Sequence, residues 1–123
     1  MSVQISYKNN TPNRASVNTV LFIDEKFNTN NLKKFTSSSE FNYIKDLLKT
    51  SDLKKKVLVF DVNSKKKIVL ISVKKDIKSF DAENLGAEFF GKINYGKNNS
   101  YFINTDSIIG KYDNFIGYFL HGL

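Results

Sequence analysis

Two neighbouring apolar segments constrain the fold of this chain more than any other feature of its sequence. Residues 57–62 read Val-Leu-Val-Phe-Asp-Val, and residues 68–73 read Ile-Val-Leu-Ile-Ser-Val. Both are nearly continuous in apolar side chains, which is typical of strands that are buried on both faces. The polar connection between them is short, so the pair is predicted to form an antiparallel hairpin. Helices are then expected on both sides of the sheet.

Three further segments carry helical patterns. Ser37 and Glu40 match the S-x-x-E capping box, and the apolar spacing that follows predicts a helix over residues 38–49. A second stripe, capped by Ser79 or Asp81, contains Ala82, Leu85, Phe89 and Ile93. We predict that Gly91 or Gly96 ends this helix.

The last helical pattern lies at the C-terminal end of the sequence. We expect Asp113 to cap a helix whose apolar positions recur as far as Leu123. Gly122 could break this helix, but Leu123 remains in register with the stripe. An apolar helix left open in this way suggests a longer parent protein.

The remaining strands complete the fold prediction. Residues 3–7, 16–23 and 100–104 are read as strands, and residues 24–35 as a polar loop with one helical turn. The element order is then β-β-α-β-β-α-β-α, in one domain that covers residues 1–123. We predict the α/β class, with a mixed sheet between helices in a three-layer α/β/α sandwich.

Composition excludes several kinds of site. The chain has no cysteine and a single histidine, His121, so thiolate zinc sites, cysteine nucleophiles and histidine triads cannot form within it. Its longest apolar runs have four residues, against about 20 for a membrane span. No signal peptide is visible at residues 1–10. We therefore expect a soluble cytoplasmic protein without a membrane partner.

The chain carries a net charge of +7, from 18 lysines and only one arginine, Arg14. Lysine binds polyanions as a point charge but reads sequence poorly. Codon bias in an AT-rich genome explains the excess of Lys, Asn, Ile and Phe more simply than a functional patch does. Both interpretations stay open.

The best local candidate for binding is a cluster of five lysines. An antiparallel hairpin brings the start of one strand beside the end of the other. The candidate polyanion-binding residues that meet in this way are Lys54, Lys55, Lys56, Lys74 and Lys75. Residues 65–67, also lysines, lie at the opposite end. The alternative is that these lysines are solvated strand ends that discourage edge pairing.

Other polar residues receive structural interpretations. Asp61 stands inside an apolar strand, where it either forms an ion pair with a lysine or is a functional acid with a raised pKa. We favour the ion pair. His121 is read as a surface residue at a helix end. Gly86, Gly91 and Gly96 form neither a dinucleotide fingerprint nor a P-loop, so we assign them to helix termination.

Two segments resemble a known family. Residues 114–123 read Asn-Phe-Ile-Gly-Tyr-Phe-Leu-His-Gly-Leu and are similar to the end of the N-terminal domain of leucyl (cytosol) aminopeptidases. The hairpin at residues 56–73, followed by Asp-Ala-Glu-Asn-Leu-Gly-Ala-Glu-Phe-Phe-Gly at residues 81–91, also resembles that domain. The resemblance covers roughly residues 17–123. One departure is that Lys74, Lys75 and Asp76 stand where relatives usually have a glycine-rich turn.

The resemblance implies a macro-domain-like fold and a parent metallo-aminopeptidase. Such enzymes are cytoplasmic homohexamers with two divalent metals, zinc or manganese, in a C-terminal catalytic domain that this sequence lacks. The expected partners are that domain and the other subunits. Asn104, Thr105 and Asp106 match the start of the family's N-T-D-A-E-G-R motif, but in the wrong domain, so no catalytic or metal-binding residue is assigned.

Two other hypotheses are kept. The chain could be a binding module, either for nucleic acid through its lysines or for a nucleotide by analogy with macro domains. The missing glycine-rich loop argues against the nucleotide. It could also be a standalone small α/β protein, although the open C-terminal helix counts against this.

Overall fold

The computed structural model describes residues 18–52, 54–63, 66–74, 76–93, 101–107 and 115–123. Several predicted features lie outside the described residues, namely the strand at residues 3–7, Lys65, Lys75, Gly96 and Asp113. The described elements occur in the order β1 (Asn18–Asp24), a 3-10 helix (Thr29–Lys34), α1 (Ser38–Thr50), β2 (Val57–Asn63), β3 (Lys66–Val73), α2 (Ser79–Ile93), β4 (Tyr101–Ile103), a second 3-10 helix (Thr105–Ser107) and α3 (Phe115–His121).

The four described strands form one mixed sheet in the order β2-β3-β1-β4. β2 and β3 are antiparallel, with Val57 opposite Ile71, which confirms the predicted hairpin. β1 is parallel to both β3 and β4. The α/β class and the mixed sheet are therefore confirmed.

Alternate residues of the strands contribute to two separate apolar clusters, as the pleat of a strand requires. Val20 and Phe22 of β1 pack in a cluster with buried residues of α2 and α3. Leu21 and Ile23, which point to the opposite face, pack with Leu32 and with buried residues of α1. Helices therefore cover both faces of the described sheet, which explains why its strands are continuous in apolar residues.

The predicted capping box at the start of α1 is confirmed. The Glu40 backbone N–H donates to Ser37 Oγ at 3.2 Å, and the Ser37 N–H donates to Glu40 Oε1 at 3.0 Å. These two bonds satisfy donors that the first turn of a helix otherwise leaves without partners. The helix ends at Thr50, one residue beyond the predicted end.

The assignment of Gly86 and Gly91 to helix termination is wrong, because both lie inside α2, which ends at Ile93. Gly86 is buried, and a Cβ atom there would collide with the backbone carbonyl of Phe119 in α3. It therefore permits close contact between two helices. Gly91 is exposed, and a Cβ atom there would have no heavy atom within 4 Å.

α3 ends at His121, and Gly122 forms a turn, so the helix does not continue in register to Leu123. The Gly122 N–H donates to the carbonyls of Tyr118 and Phe119. A Cβ atom on Gly122 would collide with the carbonyl of Glu83 in α2. α2 and α3 therefore approach each other closely at two glycines, one from each segment.

The segment that follows β4 has a structural role. The Asn104 N–H donates to the Val20 carbonyl at 3.0 Å, which extends the β1–β4 pairing by one residue. Ser107 is buried, and its hydroxyl accepts from the Phe22 N–H at 2.9 Å and donates to the Asn104 carbonyl at 2.7 Å. The side chain of Ser107 thus replaces the strand partner that β4 is too short to supply.

Candidate functional site

The candidate lysines lie at the end of the sheet where β2 begins and β3 ends. The Lys56 carbonyl accepts from the Ser72 N–H at 2.8 Å, so the start of β2 is directly beside the last residues of β3. Lys54, Lys55 and Lys56 are exposed, and so is Lys74. Lys75 lies outside the described residues. The hairpin therefore brings four of the five candidate lysines to one end of the sheet.

Acidic groups beside these lysines reduce the positive charge of the surface. Lys74 Nζ lies 3.6 Å from Asp81 Oδ2 in the first turn of α2. Asp52 Oδ1 accepts from the Lys54 backbone N–H at 3.0 Å. These carboxylates were not included in the predicted cluster, because one precedes it in sequence and the other lies on the following helix.

The same end of the sheet contains the carboxyl end of β1. β1 and β3 are parallel neighbours, but β1 is followed by the elements on the α1 face and β3 by α2 on the other face. Neighbouring strands whose connections leave in opposite directions define a switch point, which is where open α/β sheets bind ligands. The lysines therefore lie at the end of the sheet where open α/β folds commonly bind ligands.

A tight turn follows β1 at this end. Asp24 Oδ1 accepts from the backbone N–H groups of Lys26 at 3.2 Å and Asn28 at 2.8 Å. Phe27, between them, has a φ of 56°, in the left-handed region that non-glycine residues rarely adopt. The Asp24 carboxylate therefore stabilises the turn that follows β1 by accepting hydrogen bonds from its backbone.

At the opposite end of the hairpin, one lysine is buried. Lys66 is 4% exposed, and its Nζ lies 2.7 Å from Glu40 Oε2. The interpretation of residues 65–67 as solvated strand ends is therefore wrong for Lys66. A buried lysine needs a partner, and the capping glutamate of α1 supplies it.

The ion pair with Lys66 sets the protonation of Glu40. Burial alone would raise the pKa of Glu40. Hydrogen bonds from Lys66 and Ser37, together with the positive charge of Lys66, outweigh the burial and hold the pKa below its ordinary value. Glu40 is therefore charged at neutral pH, and its role is structural.

Asp61 forms the expected ion pair with a lysine. Its Oδ1 lies 3.9 Å from Lys67 Nζ, and its side chain is 73% exposed. The Asp61 backbone carbonyl accepts from the Tyr43 hydroxyl at 2.9 Å. Burial, followed by the charge of Asp61, raises the pKa of Tyr101. Asp61 is therefore a surface residue in an ion pair, and it lacks the burial expected of a catalytic acid.

His121 lies on the surface at the end of α3, as predicted. Its side chain is 78% exposed, and Nδ1 lies 3.2 Å from Glu83 Oε1 of α2. No local pattern could predict this partner, because it is 38 residues away in sequence and adjacent only where α2 and α3 pack together. Among the described residues, no group of three or more His, Cys, Asp or Glu side chains is placed to hold a metal ion. None of the described helices is long and apolar enough to cross a membrane.

Comparison with known proteins gives no relative. No protein-family model matches the chain. Neither a curated protein nor a solved structure matches it significantly.

Proposed function

We propose that this chain is the N-terminal, non-catalytic domain of a metal-dependent leucyl aminopeptidase. In this role it contributes subunit contacts and shapes access to an active site held by a C-terminal domain. The proposal includes a three-layer α/β/α, macro-like architecture, to which the sheet order and the helices on both faces lend support.

The observation that carries this proposal is the packing of the two segments that resemble the family. Residues 81–91 belong to α2, and residues 114–123 include α3. Gly86 and Gly122 bring these helices into close backbone contact, and Phe89 and Phe119 are stacked with ring centroids 5.8 Å apart. The two resembling segments therefore form one packed unit against the sheet, which is consistent with their belonging to one domain.

The parent enzyme in this proposal is a cytoplasmic homohexamer that releases N-terminal amino acids from peptides. Two divalent metals, zinc or manganese, bind in its catalytic domain. None of the residues described in this chain is assigned to the metals or to the reaction. Phe22, Phe115 and Phe119 instead form an aromatic core, with Phe22 edge-on to both other rings at 5.5 Å.

The test is to isolate the native polypeptide from its source with an antibody raised against this chain. The expected result is a polypeptide much larger than 14.1 kDa that hydrolyses a leucine amide when Mn²⁺ or Zn²⁺ is added. The 123-residue chain alone is expected to be inactive under the same conditions. A native polypeptide of about 14.1 kDa, or metal-dependent turnover by the 123-residue chain, would refute the proposal.

A second candidate function is polyanion binding, in particular of nucleic acid, at Lys54, Lys55, Lys56, Lys74 and Lys75. The observation that favours it is the position of the four described lysines at the carboxyl end of β3, beside the switch point. The ion pair of Lys74 with Asp81 and the scarcity of arginine predict weak, sequence-independent binding. The absence of a glycine-rich turn after β3 in the sequence makes a nucleotide a poorer ligand for this end.

A DNA titration at two salt concentrations tests this second candidate. Binding is expected at low salt and is expected to weaken steeply as salt rises, because it depends on counterion release. Replacing Lys54, Lys55 and Lys56 with glutamate should abolish it. The matched control replaces Lys33, Lys34 and Lys49, which lie on other elements. Equal loss in both variants would show a general charge effect rather than a site.

A further inference from the structure

The strand β2 lies at one edge of the described sheet, whose order is β2-β3-β1-β4. The Ser72 N–H donates to the Lys56 carbonyl. In an antiparallel ladder, bonded residues of this kind alternate with residues whose backbone N–H and C=O groups point away from the partner strand. The residues of β2 that point outward are therefore Val57, Val59 and Asp61. Val57 is buried, so the accessible part of this edge is confined to Val59 and Asp61.

A tyrosine of α1 reaches this edge. Tyr43 is 39% exposed, and its hydroxyl donates to the Asp61 carbonyl at 2.9 Å. Paired strands lie about 4.8 Å apart, so the hydroxyl stands in the space that a further strand would occupy. The helix α1 covers the face of the sheet that includes Leu58 and Phe60, and Tyr43 extends from that face to the edge. One of the accessible acceptors of this edge is therefore already used within the chain.

The same end of β2 carries a second feature that limits pairing. The register between β2 and β3 shifts by one residue between Asp61 and Asn63, as in a β-bulge. A bulge bends its strand and increases the local twist, and proteins use bulges on edge strands to avoid pairing with other chains. The regular part of the edge therefore ends at Asp61, where the Tyr43 hydroxyl is bound.

We propose that Tyr43 prevents the edge of β2 from pairing with the same strand of a second copy of this chain. Two β2 strands can pair antiparallel about Phe60, which places Asp61 of each copy opposite Val59 of the other. The N–H and C=O groups of both residues then find partners, and the contact is the same on the two copies. The Asp61 carbonyl is an acceptor in this pairing, so Tyr43 must leave it first. This inference goes beyond the proposed function and does not depend on the identity of the parent enzyme.

Sedimentation of the 123-residue chain over a series of concentrations tests the inference. Tyr43→Ala is expected to raise the association constant by about tenfold to a hundredfold, because neither copy then gives up a hydrogen bond when the strands pair. Tyr118→Ala is the matched control, since Tyr118 is 40% exposed but lies on α3, which packs on the other face of the sheet. It should leave association unchanged. If the wild type and Tyr43→Ala associate equally, or if neither associates, the inference is wrong.

Hydrogen exchange at the amides of Val59 and Asp61 locates the contact. Both amides should exchange rapidly in the dilute wild type. In Tyr43→Ala, they should slow by about tenfold at concentrations where the chain associates. If the Val59 amide is already protected in the dilute wild type, another part of the same chain covers this edge and the inference is wrong. Association of Tyr43→Ala without slower exchange at these two amides would place the contact elsewhere and would also overturn it.

Discussion

Replacing Glu40 with glutamine tests whether the buried ion pair with Lys66 holds α1 on the sheet. The two side chains are only 11% and 4% exposed, with a separation of 2.7 Å. Removing one partner of a buried pair costs about 3–5 kcal/mol, because the other charge keeps its desolvation penalty without this counterion. A chain of this length has a total stability of roughly 6–18 kcal/mol. The variant is therefore expected to lose a large part of it.

Glutamine is chosen because it isolates the charge. Its side-chain oxygen can still accept the Ser37 N–H, and the backbone N–H of residue 40 still donates to Ser37 Oγ, so both bonds of the capping box are retained. Ser37→Ala is the matched control, since it removes the capping hydroxyl and leaves the ion pair intact. Loss of an N-cap costs about 1 kcal/mol. Glu40→Gln should therefore be the more damaging substitution, although the cap is the feature visible in the sequence.

Urea unfolding followed by circular dichroism measures both free energies. The double variant Glu40→Gln, Lys66→Met removes both charges and should recover much of the loss, because an apolar pair in the same place carries no desolvation penalty. If Glu40→Gln costs less than about 1 kcal/mol, or if the double variant is no more stable than Glu40→Gln, the ion pair is not what holds α1 at this position.

The pH dependence of the same pair has a defined sign. The pKa of Glu40 in the folded chain lies below its ordinary value of 4.5, so the unfolded chain takes up a proton first as the pH falls. The ion pair therefore contributes its full stability above the unfolded pKa and loses it as the pH falls through the folded pKa. The free energies of unfolding of the wild type and Glu40→Gln should differ most at neutral pH and converge in acid. A constant difference at every pH would contradict this.

Three further substitutions are expected to have effects of different sign. Gly86→Ala should destabilise the chain by about 1–3 kcal/mol or more, because its Cβ atom would collide with the Phe119 carbonyl. Gly91→Ala should instead stabilise it by up to about 1 kcal/mol, since it improves helix propensity at an open position. Ser107→Ala should cost about 1–3 kcal/mol, because it leaves the Phe22 N–H without its acceptor. Thermal unfolding checks all three, and an equal response of the two glycine variants would refute the helix-contact explanation.

The parts of the fold that could be predicted from sequence depend on neighbouring residues. The Ser37 and Glu40 capping box spans four residues, and the β2–β3 hairpin is closed by a short connection. Both patterns are complete within one segment, so no knowledge of the rest of the chain is needed. The continuous apolar character of the strands also predicted helices on both faces of the sheet, because such strands are typically buried on both faces.

The parts that could not be predicted depend on residues that are distant in sequence. Gly86 has an ordinary place in an apolar stripe, and only its contact with α3 explains why it has no side chain. Ser107 bonds to a backbone N–H 85 residues earlier. The buried Asn18 accepts from the Lys67 N–H, 49 residues later. No local pattern distinguishes these residues from exposed polar ones, because their partners are set by the topology of the sheet.

Sequence alone is equally unable to predict what each lysine does, as two lysines at the end of the hairpin opposite the candidate site show. Lys66 and Lys67 are adjacent, yet Lys66 is buried against Glu40 while Lys67 is 42% exposed and faces Asp61. Adjacent residues of a strand point to opposite faces, and α1 supplies an acid on only one of them. A run of lysines in the sequence therefore predicts the end of a strand, but it does not predict which lysine is buried in an ion pair and which is exposed. The candidate lysines at the other end must be tested one side chain at a time, because Lys74, with its carboxylate partner at 3.6 Å, has less positive charge to offer a ligand than Lys54, Lys55 or Lys56.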